Sequence, residues 1–361
     1  MSAGPKPLPT IAETLKHPAY PSTIWSLEPH QKGRLPVAKG RGGPFNIAWE
    51  VHGDGPIKIA LVMGLAGLKN AWQRQTKYFG HDKSQYSVLL IDNRGVGESD
   101  RPILRYSTSA MALDYLEVLA HLNWIPSDWS NTASTPDRTV HLVGISLGGM
   151  IAQEMAYRIP SYLASLTLLC TAASVENTKS WLETIRERVN MFVPKSMETT
   201  IVNTARNLFP EAWLHAPDET LLPGPSRTPR CGPAPGTPDG EYIAFDTNFQ
   251  RFQAQELHKK LAPSLFSTTG LLLQLAAAAL HDKSPPQLKE MGDKIGRARI
   301  LVVHGTEDRM IDPELGYRLV KRLEPGRTEI IEGMGHAPVM ERPEWMNRVL
   351  EEHFSACEAM E

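Results

Sequence analysis

Short apolar runs alternate with longer amphipathic stretches through the first half of the chain. Residues 45–52 alternate between polar and apolar positions, as a strand with one exposed face does. Continuous apolar runs of strand length then occur at residues 57–63, 86–91, 139–143 and 163–170. Helical spacing of apolar positions is found between them, at residues 110–124 and again after residue 146. Because buried parallel strands are apolar throughout and are joined by helices, the pattern predicts a mostly parallel sheet covered on both faces.

This alternation is interrupted in the second half of the chain. It stops near residue 174 and resumes with an apolar run at 299–303, a helix from Pro313, a strand at 328–331 and a last helix from Arg342. The interval between is mostly helical in pattern, with candidate helices at residues 181–192, 198–208, 247–261 and 269–281. The sequence therefore predicts an α/β fold, a doubly wound sheet with a helical cap inserted between two core strands.

The same pattern sets the expected domain boundaries. We predict an N-terminal extension, a first core segment, a helical cap and a second core segment, at residues 1–32, 33–174, 175–290 and 291–361. The extension is expected to be poorly structured. Residues 221–240 of the cap hold six prolines and are expected to form a flexible, dispensable loop.

Composition narrows the class of protein. The 361 residues carry 38 basic and 40 acidic side chains, a formal net charge of −2, so nothing favours nucleic acid or an anionic membrane surface. Three widely spaced cysteines indicate neither a disulfide framework nor a zinc site. The N-terminus lacks a signal-peptide or transit-peptide pattern, and the longest apolar run, at 271–280, is too short to span a bilayer. We therefore expect a cytoplasmic protein.

The first candidate for chemistry is Ser146, which lies in a Gly-X-Ser-X-Gly sequence between an apolar strand and a helix. A serine hydroxyl is a weak nucleophile unless it is held exposed beside a base, and a sharp strand-to-helix turn can hold it so. Gly144 and Gly148 leave room for a close approach of neighbouring chain. The Leu147 N–H, at the start of the helix, would point towards an oxyanion formed on a carbonyl carbon.

A nucleophilic serine also needs a histidine base and an acid that orients it. Asp308 follows the apolar run at 299–303, and His336 follows the strand at 328–331. Both positions lie at the carboxyl ends of predicted strands, where open parallel sheets bind their ligands. The order serine, aspartate, histidine is typical of this motif. Glu307 and Asp312 are alternative acids, and Asp308 is favoured because residues 171–174, the usual alternative acid position after the preceding strand, contain no Asp or Glu.

Other positions complete the candidate site. A second oxyanion donor is expected at the end of an early strand, where the Leu65 N–H follows Gly64. His304 is expected to belong to the end of its strand, and His281 to the end of a cap helix. The sequence has no His-X-X-X-His, no paired cysteines and no phosphate-binding loop, so we expect no metal and no cofactor.

Together these motifs resemble the α/β-hydrolase fold family. The resemblance covers residues 45–174 and 299–354, and includes the turn at 144–148, the acid Asp308 and the base His336. Residues 92–99 are similar to the family's Asp-X-Arg-Gly-X-Gly-X-Ser stretch, which implies a structural loop. The chain departs from the family at Met63, where many relatives have histidine. Within the family it looks similar to uncharacterised fungal hydrolases and to 3-oxoadipate enol-lactonase-like esterases.

The resemblance implies a serine hydrolase that forms an acyl-enzyme on Ser146. The expected substrate is a small or medium apolar carboxylic ester, lactone or thioester bound between core and cap. Alternatives that would use the same residues are an alcohol acyltransferase and a carbon–carbon bond hydrolase, and a non-catalytic ligand receptor is an alternative of another class. The oligomeric state stays open. Apolar side chains of the cap are expected to line the pocket, namely Trp181, Phe192, Phe249, Phe252 and Leu271.

Overall fold

The structure is a computed structural model and describes residues 7–129, 137–175 and 195–360. Its centre is a sheet of eight strands in the order β1-β2-β4-β3-β5-β6-β7-β8. The strands are β1 Gln31–Val37, β2 Phe45–His52, β3 Ile57–Val62, β4 Tyr86–Ile91, β5 Val140–Ile145, β6 Leu163–Leu169, β7 Ile300–Gly305 and β8 Arg327–Ile331. Strands β3 to β8 are parallel, whereas β1 and β2 pair in antiparallel fashion at one edge. The predicted mostly parallel α/β fold is confirmed.

Helices cover both faces of this sheet. They are α1 Ile11–Lys16, α2 Gln73–Gly80, α3 Thr108–His121, α4 Leu147–Arg158, α5 Met197–Leu208, α6 Glu211–His215, α7 Asn248–Lys260, α8 Thr268–Ala279, α9 Pro285–Ile295, α10 Pro313–Leu323, α11 Pro338–Glu341 and α12 Pro343–Glu358. Successive strand residues point to opposite faces, so Ala60 and Val62 join one core cluster while Ile59 and Leu61 join the other. Two cores, one on each face, hold the sheet in place.

Helices α5 to α8 lie in the interval predicted to be a cap. Three of them begin at a serine or threonine whose side chain accepts a hydrogen bond from an amide three residues on: Ser196 for α5, Thr247 for α7 and Ser267 for α8. Their bounds agree with three of the four helices expected there. The fourth, at residues 181–192, lies outside the described residues.

The second cap boundary, at residue 290, falls inside a helix. Helix α9 spans Pro285–Ile295, and its Leu288, Met291 and Ile295 are buried in the main core cluster. Helix α9 therefore packs as part of the core.

The N-terminal extension differs from the expectation. Within residues 7–32, α1 begins with a capping box in which the side chains of Thr10 and Glu13 bond to each other's backbone N–H. Leu8 and Ile11 pack against the apolar cluster of the cap helices, and Trp25 is buried. The prediction of a poorly structured segment is wrong for these residues, because Trp25 is buried and Leu8 and Ile11 are partly buried by partners about two hundred residues away.

The proline-rich loop also differs. It contains neither helix nor strand, as expected, but it packs against other parts of the chain. Cys231 and Ala234 are buried with Trp25 and Tyr242 in one cluster. The Gly232 N–H donates to the Ser26 carbonyl at 2.8 Å, which fastens the loop to the N-terminal segment. The expectation that nothing buries this loop is therefore wrong, whereas its dispensability stays a prediction.

None of the helices in the described part of the chain combines the length and apolar character that a bilayer span requires.

Candidate active site

Ser146 lies at the turn between β5 and α4 in a backbone conformation that a serine rarely adopts. Its φ is 58° and its ψ is −126°. A Cβ on Gly144 would lie 2.3 Å from the Gly148 carbonyl oxygen, and one on Gly148 would lie 2.1 Å from that of Val62. Only glycine fits both positions, so β3, β5 and α4 pack tightly around the turn. The strained turn holds the serine side chain at the wall of a cavity.

The predicted acid and base lie together. His336 Nδ1 is 2.7 Å from Asp308 Oδ2, and both side chains are buried. The His336 backbone N–H donates to the Leu208 carbonyl at 2.7 Å, which joins the histidine loop to the cap. Of the alternative acids, Glu307 is exposed, and Asp312 accepts the Glu314 N–H at 2.9 Å as the cap of α10. In the described part of the chain, neither rival forms a hydrogen bond or an ion pair with His336, so the geometry favours Asp308.

Both oxygens of the Asp308 carboxylate accept hydrogen bonds. Its Oδ1 accepts the backbone N–H groups of Met310 and Ile311 at 2.8 and 2.9 Å. Burial alone would raise the pKa of this carboxyl. The facing His336 and the hydrogen bonds from His304 and His336 outweigh burial and hold the pKa well below its ordinary value. Asp308 therefore stays ionised at any ordinary working pH and can stabilise a protonated His336.

His304 is a second neighbour of this carboxylate that the sequence did not reveal. Its Nε2 lies 3.0 Å from the Ile311 carbonyl oxygen and 3.3 Å from Asp308 Oδ2. Because a carbonyl only accepts, this Nε2 must carry the hydrogen. The only signal in the sequence was a histidine at the strand end, four residues before the aspartate. His304 therefore helps to fix the position of Asp308, whose Oδ2 also faces the cavity-lining His336.

Cys170 lies behind the same pair. Its Sγ, a carboxylate oxygen of Asp308 and a ring nitrogen of His336 lie within 4.8 Å of one another, a spacing that could suit a metal ion. Burial, reinforced by the Asp308 charge, raises the pKa of this thiol well above its ordinary value. A metal ligand would have to be the thiolate, which this site disfavours. Cys170 is a fully buried residue that directly follows β6.

The two predicted oxyanion donors flank Ser146. Leu65 lines the same cavity, at the end of β3, and a Cβ on Gly64 would lie 3.0 Å from the Ser146 Cβ. Leu147 is the first residue of α4, where a backbone N–H has no partner within the helix. In the described part of the chain, neither amide is among the backbone groups that donate to a loop or turn carbonyl. Their role as oxyanion donors stays a prediction.

The loop that carries Leu65 is fixed by a cap residue. The Ala66 N–H donates to Gln274 Oε1 at 2.8 Å, and Gln274 Nε2 donates to the Arg94 carbonyl at the same distance. Asn93 Nδ2 holds the Met63 carbonyl from the core at 2.9 Å. Gln274 is completely buried on α8. In the sequence it was visible only as one polar residue in an apolar run, so its role was missed.

A cavity of about 320 Å³ contains Ser146 and His336 in its wall. Its apolar lining includes Met63, Leu208, Leu271, Val339 and Met340. Of the cap side chains expected to line it, Phe252 and Leu271 do so. Phe249 instead packs in the apolar cluster of the cap helices, and Trp181 and Phe192 lie outside the described residues.

Comparison with known proteins gives concordant results. Residues 59–343 match the sequence profile of the alpha/beta hydrolase fold. The chain is 26% identical over 323 residues to a monoacylglycerol lipase of Xenopus laevis, covering 88% of this chain and 82% of that protein. It is 29% identical over 110 residues to 3-oxoadipate enol-lactonase 2 of Acinetobacter baylyi, covering 30% and 35%. A thermophilic esterase from Thermogutta terrifontis has a similar structure, with a TM-score of 0.61, 20% identity and coverage of 91% and 99%.

These findings confirm the resemblance to enol-lactonases and related hydrolases. The similarity to uncharacterised fungal hydrolases stays a prediction.

Proposed function

Because the chain belongs to the α/β-hydrolase fold family, we propose that it is a serine hydrolase with Ser146, His336 and Asp308 as its catalytic residues. The buried His336–Asp308 pair, 2.7 Å apart, shares a cavity with a serine held in a strained turn. The strained turn costs stability, and the histidine–aspartate pair needs a defined geometry. Nucleophilic catalysis by a serine requires both features in one cavity.

The reaction follows from the arrangement. Ser146 Oγ attacks the substrate carbonyl carbon while His336 Nε2 takes its proton. Asp308 orients His336 through Nδ1–H and stabilises the imidazolium that forms. The amides of Leu65 and Leu147 bind the oxyanion. The protonated histidine then gives its proton to the leaving alcohol or thiol, and water activated by His336 releases the acid from Ser146.

The size and lining of the cavity support a small or medium carboxylic ester, lactone or thioester as the substrate. A volume of about 320 Å³ is too small for a polymer but holds a short acyl chain or ring. The Xenopus relative is named a monoacylglycerol lipase and the Acinetobacter relative an enol-lactonase, and both names denote ester cleavage. All three cysteines are free and buried, which agrees with the proposed cytoplasmic location.

A substrate panel tests this function. Esters, lactones and thioesters of increasing acyl length should be hydrolysed by the protein and not by Ser146→Ala. Ser127→Ala serves as the matched control, because Ser127 is exposed and remote from the motif, and it should keep full activity. Turnover that survives in Ser146→Ala would refute the assignment. Absence of hydrolysis across the whole panel would favour an acyltransferase, a carbon–carbon bond hydrolase or a receptor.

A further inference from the structure

One helix gives the catalytic cavity a polar wall. Gln255, Glu256, Lys259 and Lys260 of α7 all line the cavity that contains Ser146. Their spacing places them on one face of the helix, because residues four apart lie one turn above each other. The rest of the lining is mostly apolar, with Asn70, Thr200 and Thr204 as further polar residues besides Ser146 and His336. A purely apolar substrate, as the sequence suggested, would leave this wall without a partner.

The charges of this wall do not balance. Lys259 Nζ lies 2.6 Å from Glu256 Oε1, whereas Lys260 Nζ is 3.9 Å from Glu256 Oε2. Two ammonium groups therefore share one carboxylate. Among the described residues that line the cavity, the other titratable side chain is His336, so the wall carries one excess positive charge when His336 is neutral.

Both lysines are largely withdrawn from solvent. The side chains of Lys259 and Lys260 are only 12% and 17% exposed. Water therefore screens the excess positive charge only weakly. Lys260 Nζ lies 4.9 Å from the centre of the Phe266 ring, a cation–π contact that stabilises the ammonium but brings no negative charge. Burial lowers the pKa of Lys260, the Glu256 carboxylate opposes this effect, and the Lys259 ammonium adds to it. An anion bound in the cavity would offset the free-energy cost of burying this ammonium group.

Gln255 adds a buried amide without a partner to the same face of α7. Its Nε2 and Oε1 are both buried, and neither has a hydrogen-bond partner among the residues that the structure describes. A buried amide without partners costs stability, and such groups in folded proteins usually have a ligand, a water molecule or a functional reason. Gln255 lies one turn before Lys259, so its amide and the ammonium groups can face the same bound group.

We propose that this face of α7 is a recognition site for a carboxylate group of the substrate. Lys260 and Lys259 supply the charge, and the Gln255 amide supplies a neutral hydrogen-bond donor. The inference rests on the proposed function and names its substrate class: esters that carry an apolar segment near Ser146 and a carboxylate at the far end of the molecule. The carboxylate belongs either to the acyl part or to the alcohol part.

Two matched pairs of substrates separate these sources. p-Nitrophenyl hexanoate and the p-nitrophenyl monoester of adipic acid differ in a carboxylate at the end of the acyl chain. Phenyl acetate and 4-acetoxybenzoate differ in a carboxylate on the leaving group. In at least one pair, kcat/KM should be at least roughly tenfold higher for the anionic ester, and high salt should reduce the preference. Equal values in both pairs, or a preference for the neutral esters, would overturn the proposal.

Two variants test the residues. Lys260→Met removes the excess charge, and Gln255→Glu keeps the shape of the side chain while adding a negative charge. Each should lower the ratio of anionic to neutral kcat/KM by roughly tenfold or more. The control is Lys294→Met, because Lys294 forms a similar i,i+4 ion pair with Glu290 but is exposed on α9, away from the cavity. It should leave the ratio and the activity unchanged. A ratio that is unaffected by both test variants would contradict the proposal.

A binding arm distinguishes failure of this inference from failure of the proposed hydrolysis. Calorimetry with Ser146→Ala measures affinity for monomethyl adipate and for methyl hexanoate, neither of which this variant is expected to cleave. Tighter binding of the anionic ester, lost on adding Lys260→Met, supports the carboxylate site even if no ester is turned over by the natural protein. Equal binding of the two esters overturns the carboxylate site, whatever the hydrolysis panel shows.

Discussion

The Asp308 carboxylate is held from several sides, and this constrains the tautomer of His336. Oδ1 accepts two backbone N–H groups, while Oδ2 faces both His336 and His304. An ionised carboxylate can only accept, so His336 must present Nδ1–H to it. The lone pair of His336 is then on Nε2, the nitrogen needed to take the proton from Ser146.

Asp308→Asn should therefore lower kcat by roughly three to four orders of magnitude while the fold is retained. The asparagine amide can donate to His336 Nδ1 and stabilise the unproductive tautomer. Asp312→Ala is the matched control. It should lose about 1 kcal/mol of stability, because Asp312 caps α10, and keep its kcat. Steady-state kinetics with an activated ester measures both. If Asp312 or Glu307 variants were the inactive ones, the assigned acid would be wrong.

At the scale of elements, the cap does more than cover the cavity. Gln274 of α8 holds the Ala66 amide and the Arg94 carbonyl, and so fixes the loop that carries Leu65. The amide that we propose as an oxyanion donor therefore lies in a loop positioned by a residue about two hundred positions away in the chain. Precise donor placement matters because only a preorganised donor stabilises the transition state.

We expect Gln274→Leu to lower kcat by roughly tenfold or more and to change KM little, since the Ala66 N–H would lose its partner and the loop would shift. Gln287→Leu is the control. Gln287 completes the capping box of α9 and should affect stability only. An unchanged kcat in Gln274→Leu would show that the loop is fixed without it.

The apolar cluster between the N-terminal segment and the proline-rich loop should contribute measurably to the free energy of unfolding. Trp25→Ala should lower the free energy of unfolding by about 3–5 kcal/mol, because Trp25 is buried against Cys231, Ala234 and Tyr242. Leu221→Ala, in the same loop but 63% exposed, should have almost no effect. Urea denaturation measures both. A Trp25→Ala protein as stable as the natural one would support the sequence-based prediction of a dispensable loop.

At the scale of the whole molecule, the parts predicted from sequence are those that depend on neighbours along the chain. The strand–turn–helix around Ser146 and the buried strands have strong local patterns, and their bounds agree to within a few residues. The parts that were missed depend on distant partners. The Ala66–Gln274 bond joins residues 208 positions apart, and Trp25 packs against residues beyond 230. No local pattern marks such contacts, so neither the ordered N-terminal segment nor the polar wall of α7 could be predicted.

Three buried histidines should make the protein sensitive to acid. Burial lowers the pKa of His281 to about 3 and the pKa values of His81 and His353 to about 4. In the unfolded chain these groups titrate near 6.5. Above that pH neither state binds the proton. As the pH falls below about 6.5, the unfolded state gains protons that the folded state refuses, so stability decreases until the folded pKa is reached.

Each of these histidines should contribute a loss of about 2 kcal/mol between pH 6.5 and pH 5. Urea denaturation at the two pH values measures the total, and His281→Gln should reduce it by one histidine's share. His121→Gln is the control, because His121 is exposed. A decrease in stability with acid that is as steep in His281→Gln as in the natural protein would contradict the contribution of His281.

The proposed function depends on an acyl-enzyme that Ser146 forms with help from His336. The most direct measurement is mass spectrometry of protein quenched with acid during turnover of a p-nitrophenyl ester. We predict one acyl group per chain, on the peptide that contains Ser146, which disappears as substrate is exhausted and is absent from Ser146→Ala. An acyl group on another residue, or turnover by Ser146→Ala at the natural rate, would show that Ser146 is not the nucleophile.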